Sequence, residues 1–458
     1  MSKTFKIITI LFSVLLIAGT WGMFTTIQAR LNMEQAAILV VARNYVEIGD
    51  YDEAIGHFTE AIRMDAFADP NLLYEKAQVY RSAHLLSQYR TEIRNLIDNR
   101  IFPDYMTLVD LYTELVDFYF DDNRSTVSII HLLRESFEAT DDAALFSQYQ
   151  RYRYHYNTRP GVFSYASAII NSAGLVQRGD YWGFVNYRGS NMINLNFDFA
   201  TNFHDGYAIV QREGVISVIN LRNQEQVAVE GFEGYRIGRF FDGSNFSIYS
   251  YSQGGYRRAL WDGGEEITLL GEYYDFIGMM TQSMKAFRRG DTWAIYDSYV
   301  NTVFPFSFIY EGIAVDELGR MTMNNRFFVV ENGRYQMKDF YGNRIGQPFD
   351  EARPFFEVDG YAAVRQDDLW GFVNADGIVV VDFQFQDARS SSFDLAPVLV
   401  WDWWGYITVE AFPEQLREAY FGRMAITPQF IDAKQFVAGV APVMDEAGWF
   451  YIMLMEHE

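Results

Sequence analysis

Cysteine is absent from all 458 residues, which removes disulfide staples, thiolate nucleophiles and cysteine-based zinc sites together. Histidine is scarce. His57, His84, His131, His155, His204 and His457 are scattered, and no two stand four apart, the spacing that lets one helix face grip a metal. Positive charge is short as well. With 37 basic against 60 acidic residues the formal net charge is -23, so nucleic acid is repelled rather than condensed. No phosphate-cradling loop, dinucleotide fingerprint or nucleophile elbow occurs, and Gly254-Gly255 and Gly263-Gly264 read as turns. The expectation is therefore no catalytic residue, no metal ligand and no cofactor.

Long apolar runs are missing too, with one exception. Lys3 and Lys6 precede Ile7 to Ala29, which holds no charge, and Arg30 ends the run. At about 1.5 Å per residue such a helix can cross a hydrocarbon core of about 30 Å. An uncleaved signal anchor over residues 1–30 is the expectation, with the lysines inside and everything after Arg30 outside. The alternative is a cleaved secretory signal, although no A-x-A-like site stands out.

From Gln35 to about Asn157 the apolar spacing is helical: Ala54, Ile55, Phe58, Ala61 and Ile62 recur at three- and four-residue steps. Gly49 can end one helix and Asp50 can cap the next. Val41, Ala42, Tyr45, Gly49, Tyr51, Ala54, Phe58 and Ala61 together resemble the tetratricopeptide repeat, although Ala66 stands where its closing proline belongs. A second copy, with Leu73, Ala77 and Tyr80, departs from the family pattern at Tyr89 and Ile93. A further helix pair is read from Asp104 to Phe120 and from Ser125 to Phe137, and a last helix from Asp141 to Tyr152. The resemblance implies a groove lined by Ala36, Leu39, Arg43, Val46 and Glu47, then by Asn71, Tyr74, Gln78, Arg81 and Ser82. The plainer reading of residues 31–157 is a helical stalk without a peptide ligand.

Asn157-Thr158-Arg159-Pro160-Gly161 breaks the helical period, and residues 158–161 are expected to be a linker. Short apolar runs and turn glycines follow, as strands require. Asp180-Tyr181-Trp182-Gly183-Phe184-Val185-Asn186 returns as Asp368-Leu369-Trp370-Gly371-Phe372-Val373-Asn374, and more loosely at Trp404-Gly405-Tyr406-Ile407. Asp387-Ala388, Asp432-Ala433 and Glu351-Ala352 form a second shared block. Asp359-Gly360-Tyr361, Asp205-Gly206-Tyr207 and Ala438-Gly439-Val440 open a third. Blocks in fixed order mark a repeat, and residues 162–458 resemble the WG-repeat family, from which no ligand or catalytic residue carries over.

Repeat starts fall at Trp182, Val215, about Tyr256, Trp293, Tyr335, Trp370 and Trp404, with a half repeat at Trp449. A short helix is expected within an insertion over 409–424. Seven intervals suggest a propeller-like ring of about seven units, closed by pairing Trp449 to Met453 with Gly174 to Arg178; an open β-solenoid is the alternative. Trp182, Gly183, Trp293, Trp370, Gly371, Trp404, Gly405 and Trp449 are read as structural. Trp401 and Trp403 are expected to be packed, like most large aromatics. If exposed, they offer a platform for a sugar ring or a partner side chain. The acidic pairs Asp121-Asp122, Asp141-Asp142, Glu265-Glu266 and Asp367-Asp368 read as turns or helix starts. The functional expectation is a non-catalytic, membrane-anchored, extracytoplasmic protein that binds protein or cell-envelope glycan and no nucleic acid. Arg43, Glu47, Tyr74, Gln78, Arg81, Trp401 and Trp403 are its candidate contacts. The alternative is a carbohydrate-active enzyme with two carboxylates assembled from distant repeats.

Overall fold

The computed structural model describes residues 28–64, 69–297, 302–303, 310–409 and 419–457, and the chain divides into two compact units between Tyr152 and Arg153. Among the described residues the first unit holds seven helices. They are α1 over 28–47, α2 (Tyr51–Arg63), α3 (Pro70–Ser82), α4 (Leu86–Asp98), α5 (Leu108–Asp121), α6 (Thr126–Thr140) and α7 (Ala143–Tyr152). Gly49 takes a φ of +79°, a left-handed turn that costs glycine little. Asp50 then caps α2 by accepting from the Glu53 amide. Ala42 of α1, Ala54 and Phe58 of α2, and Val79 of α3 share one buried cluster. No helix among the described residues is long and apolar enough to cross a membrane. The crossing helix expected over Ile7 to Ala29 therefore has no counterpart there; residues 1–27 lie outside the described residues. The last two positions of that run, Gln28 and Ala29, are exposed and helical, the first described residues of α1.

The second unit is an eight-bladed propeller. Each blade is a four-stranded antiparallel sheet, and the blades span 165–197, 199–229, 235–274, 276–303, 312–349, 351–385, 387–430 and 432–454. The expected seven units are corrected to eight. Every predicted start, including the half repeat at Trp449, lies in the third strand of a blade, so eight starts bounded the seven intervals that were counted. A closed ring has as many units as starts.

Closure also differs in its partner strand. Tyr156–Thr158, which overlaps the expected linker, pairs antiparallel with Gly448–Leu454 as Tyr156↔Leu454, Asn157↔Met453 and Thr158↔Ile452. It is the fourth strand of blade 8. Gly174–Arg178 could not serve, because both its edges are occupied within blade 1, by Tyr165–Ala166 and by Tyr181–Val185. Phe163 and Trp449 exchange two backbone hydrogen bonds of 2.8 Å, and the buried Tyr451 hydroxyl donates to the Ser167 carbonyl at 2.8 Å. The long edge of Gly448–Leu454 is thereby paired, and the outer edge of blade 8 passes to the three-residue strand Tyr156–Thr158.

The Trp-Gly pair explains how blades stack. Trp182, Trp370, Trp404 and Trp449 are buried, and Trp182, Trp370 and Trp404 each pack against apolar residues of the following blade, Trp449 against blade 1. Trp293 is half-buried. Beside the tryptophan the fourth strand bulges inward: Trp404 pairs with Phe430 but Tyr406 with Ile426. A Cβ on Gly405 would lie 2.6 Å from the Ile426 carbonyl oxygen, so only glycine fits under the bulge. Gly371 and Gly183 meet the same crossing strand in blades 6 and 1. The helix expected in the insertion falls largely on 410–418, outside the described residues.

Candidate functional site

Nonadjacent blades can touch only near the axis of a ring. Lys434 of blade 8 reaches Glu317 of blade 5 with Nζ 2.7 Å from Oε2, which places both at the centre. A pocket of about 200 Å³ opens beside them, lined by the segments that follow the first strands of blades 5 to 8. Its cations are built by one repeated device. In Glu351-Ala352-Arg353, Asp387-Ala388-Arg389 and Asp432-Ala433-Lys434 a basic residue directly follows the first strand. That residue stacks on the tryptophan of its own blade: Arg353 on Trp370 at 4.5 Å, Arg389 on Trp404 at 4.7 Å, Lys434 on Trp449 at 4.8 Å. Arg353 also donates to the Ala388 carbonyl and pairs with Asp387 of the next blade at 3.0 Å. Arg389 repeats this with the Ala433 carbonyl and Asp432 at 2.8 Å. Each cation thus clasps two blades. Sequence reasoning found the acidic and alanine positions of this block but missed the basic residue directly after them, a signal that was present three times.

Two carboxylates stand at this pocket. Asp316 accepts from the Leu318 and Arg320 amides at 2.9 Å and from Arg320 Nε at 2.7 Å. Burial pushes its carboxyl up from the ordinary range against the pull of Arg320. Its lone pairs are committed to holding a turn. Glu317 is engaged by Lys434, so no pair of free carboxylates faces a common space here, as general acid–base hydrolysis requires. Among the described residues no group of three or more His, Asp or Glu side chains could hold a metal.

In the helical unit most of the predicted groove contacts are taken up by carboxylates of neighbouring helix positions. Arg43 forms a two-pronged ion pair with Glu75 at 2.7 and 2.9 Å. Glu47 stays exposed. Tyr74 and Tyr89 donate to Glu114 at 2.7 Å, Gln78 does so at 2.5 Å, and Arg81 lies 3.7 Å away. Burial and then the Glu114 carboxylate push both tyrosine hydroxyls well above their ordinary value. Glu114 itself was not singled out in the sequence. It sits in α5, at the far side of the contact, where no pattern within α3 points to it.

The aromatic cluster of blade 7 reverses its expectation. Trp404 is buried, but Trp401 is 84% and Trp403 45% exposed. Trp401 is not on a strand: it and Asp402 form the hairpin turn between Leu395–Val400 and Trp403–Thr408, with φ of 50° and 66°. Asp402 is fixed by a reciprocal pair with Gln386, its amide donating at 3.0 Å and its Oδ1 accepting at 3.2 Å.

Comparison with known sequences bears on these blades: residues 182–215, 349–370 and 370–400 match the WG-containing repeat. These segments are WG-containing repeats. No curated protein matches the sequence. Among solved structures, similarity extends to an inactive virginiamycin B lyase from Staphylococcus aureus with quinupristin, at 10% identity over 66% of this chain and 98% of that one, TM-score 0.33. The Pan2 WD40 domain of Neurospora crassa gives 10% identity over 52% and 86%, TM-score 0.30. Hsv2 of Kluyveromyces lactis gives 12% over 54% and 93%, TM-score 0.30. No activity is transferred at such values.

Within the WG-containing segments the turn of blade 6 offers a direct contrast with Trp401. Asp367 and Asp368 occupy the same two positions at φ of 50° and 69°, and small polar residues tolerate this backbone. The corresponding turns of blades 2 and 5 use Glu213-Gly214 and Asn332-Gly333. Blade 7 alone among these four places a tryptophan there.

Proposed function

We propose that this protein is a non-catalytic, exported interaction protein whose propeller binds cell-envelope glycan through the Trp401–Trp403 hairpin tip. One observation carries the reading. A bulky side chain at positive φ costs roughly 1–2 kcal/mol, and Trp401 recovers none of it by burial. Strain and exposed apolar surface at one residue, without a folding benefit, are what a contact residue looks like. Trp401 and Trp403 flank Asp402 along the chain, and Gln386 holds the Asp402 carboxylate in place. Flat apolar faces beside fixed polar acceptors suit a sugar ring, with its C–H face and hydroxyl rim. The excess of acidic residues favours a neutral or amino-sugar glycan over an acidic one. Lys3, Lys6 and the apolar run after them support placement outside the cytoplasm.

The test is retention on insoluble cell-wall polysaccharide. The protein is expected to be retained, and Trp401→Ala with Trp403→Ala to abolish retention without lowering the melting temperature. Equal retention of both overturns the reading. Capture that survives removal of glycan but not protease treatment of the wall assigns the tip to a protein partner instead.

A further inference from the structure

The turn joining the second and third strands is pinned in the same way in four blades. The residue just before the first strand is an acid, and its carboxylate accepts from a turn amide. Asp198 accepts from Glu213 at 2.7 Å in blade 2, and Asp275 from Gly290 at 2.5 Å in blade 4. Glu311 accepts from Asn332 and Gly333 at 3.1 and 2.9 Å in blade 5, and Asp350 from Asp367 at 2.9 Å in blade 6. Blade 7 exchanges the parts. Its acid is replaced by the neutral Gln386, and a carboxylate stands in the turn instead, on Asp402. Gln386 accepts from the Asp402 amide at 3.0 Å and donates to Asp402 Oδ1 at 3.2 Å. An ionised carboxylate at 386 could not do both, because it has no hydrogen to donate.

The counter-charges change as well. Blade 6 also carries an acid at the second turn position, Asp368, but there both acids are matched. Asp368 lies 3.2 Å from Arg365, and Asp350 lies 3.2 Å from Arg334. In blade 7 the residue matching Arg365 is Leu399: Arg365 pairs across its hairpin with Trp370, and Leu399 with Trp404. Arg334 opens the third strand of blade 5, and the residue that opens the third strand of blade 6 is Leu369. Both cations have become leucine. Among the described residues Asp402 therefore forms no ion pair, and its Oδ2 has no hydrogen-bond partner. The tip presents one positioned, unmatched negative charge, with exposed indoles on either side of it along the chain.

We infer that the tip of blade 7 recognises an ammonium group, so that the glycan it takes carries amino sugars whose amines are free rather than acylated. The inference rests on the glycan reading above and narrows it. Asp402 Oδ2 accepts from the ammonium while Oδ1 stays with Gln386. Such a charge-assisted bond is roughly twice as strong as a neutral one. The indoles of Trp401 and Trp403 favour the same ligand, because the face of an indole attracts a cation. Acylation removes the charge that both interactions use.

The test titrates the full chain with two probes, the β-linked tetramer of glucosamine and the same tetramer fully N-acetylated. Salt is kept at about 0.15 M, where exposed charges more than about 8 Å apart are screened. The free amine is expected to bind about tenfold tighter than its acetylated form. Asp402→Asn keeps both bonds to Gln386 and suits the φ of 66°. It is expected to weaken the amine about tenfold and to leave the acetylated tetramer unchanged. Asp368→Asn removes the same charge from the neighbouring blade and is expected to change neither. Equal binding of the two tetramers, each lost in Trp401→Ala with Trp403→Ala, overturns the inference and leaves the glycan reading standing. Binding of neither, by a chain still retained on the wall, also overturns the inference alone; without retention both fall. Equal weakening by Asp368→Asn and Asp402→Asn assigns the preference to bulk charge and overturns the inference. Tetralysine bound more tightly than the amine, through the same tryptophans, overturns it in favour of a protein partner.

Discussion

Blades 6 to 8 and blades 1 to 5 meet at one axis and treat it differently. Blades 6 to 8 line their side with Arg353, Arg389 and Lys434, each stacked on a tryptophan and paired with an acid. On the other side the position after the first strand holds Ser167, Thr201, Gly278 and Ala314 in blades 1, 2, 4 and 5, and Asp242 in blade 3. None of the first four reaches across to the next blade as an arginine does. Ser167 and Thr201 accept instead from the Leu175 and Ile209 amides of their own blades at 3.0 Å. Blades 3 and 4 use a substitute: Lys285 and Asp242, both buried, form an ion pair of 2.7 Å. The lesson concerns where a repeat can change. Units that keep the tryptophan and its cation tie blades together through that cation, and units that have lost it rely on other contacts at the axis.

Opening the ring should have the largest effect. Deleting Gly448 to Glu458 removes Trp449, Tyr451, Ile452, Met453 and Leu454, all buried. At roughly 2–5 kcal/mol each their loss exceeds the stability of about 5–15 kcal/mol that a domain carries. Calorimetry should show no cooperative transition for the propeller. Fraying of blade 8 alone, seen by hydrogen exchange, would mean that the blades are independent.

Next is the substitute pair. Asp242→Asn should cost about 3–5 kcal/mol at neutral pH, because Lys285 is left buried without its counter-charge. Burial pushes the Asp242 carboxyl up, but Lys285 and Asn245 outweigh it and hold the group below its ordinary value. A carboxyl depressed in the fold stabilises above its unfolded pKa of about 3.9. That contribution is lost as pH falls through the lower folded value. Urea melts should therefore show a flatter acid limb for Asp242→Asn than for the parent. Identical slopes would remove the pair from the account of blades 3 and 4.

A smaller loss is expected under the bulge. Gly405→Ala must displace the Ile426 backbone and should cost about 1–3 kcal/mol. The same position in blade 2 is Ser217, where the fourth strand stays in register as Ser217↔Ala228, its shift falling later between Val218 and Ile219, and the hydroxyl donates to Glu225 at 2.8 Å. Ser217→Ala should cost about 1 kcal/mol or less. Equal costs in chemical denaturation would show that the glycine is not what distinguishes the two blades. Smallest, and opposite in sign, is Trp401→Asn. It relieves a side chain that strains its turn, and should leave the melting point unchanged or raise stability by up to about 1 kcal/mol. A clear loss would show that Trp401 serves the fold.

Much of the fold could be read from neighbouring residues. Gly49-Asp50, Ala54 and Phe58 mark a helix junction because caps and helical faces act over a few positions. Trp182-Gly183 and its copies mark third strands because tryptophan needs a layer to fill and glycine lets a strand cross close by. The site was less legible. Trp401 was expected to be packed because aromatic content says nothing about a turn, and hairpin register decides which residue becomes the tip. Tyr74, Gln78 and Arg81 looked like a ligand-facing row, but α5 supplies Glu114 to satisfy them.

Local chemistry was enough to specify a helical array, a β-repeat with structural Trp-Gly pairs, and the absence of cysteine and phosphate-loop sites, since each depends on residue type and short spacing. The number of blades, the strand that closes the ring and the contents of its axis depended on closure. Tyr156–Thr158 becomes the last strand of blade 8 only because the ring brings it to Leu454. Lys434 meets Glu317 only because first strands distant along the chain converge on an axis. No sequence window contains both ends of such a contact.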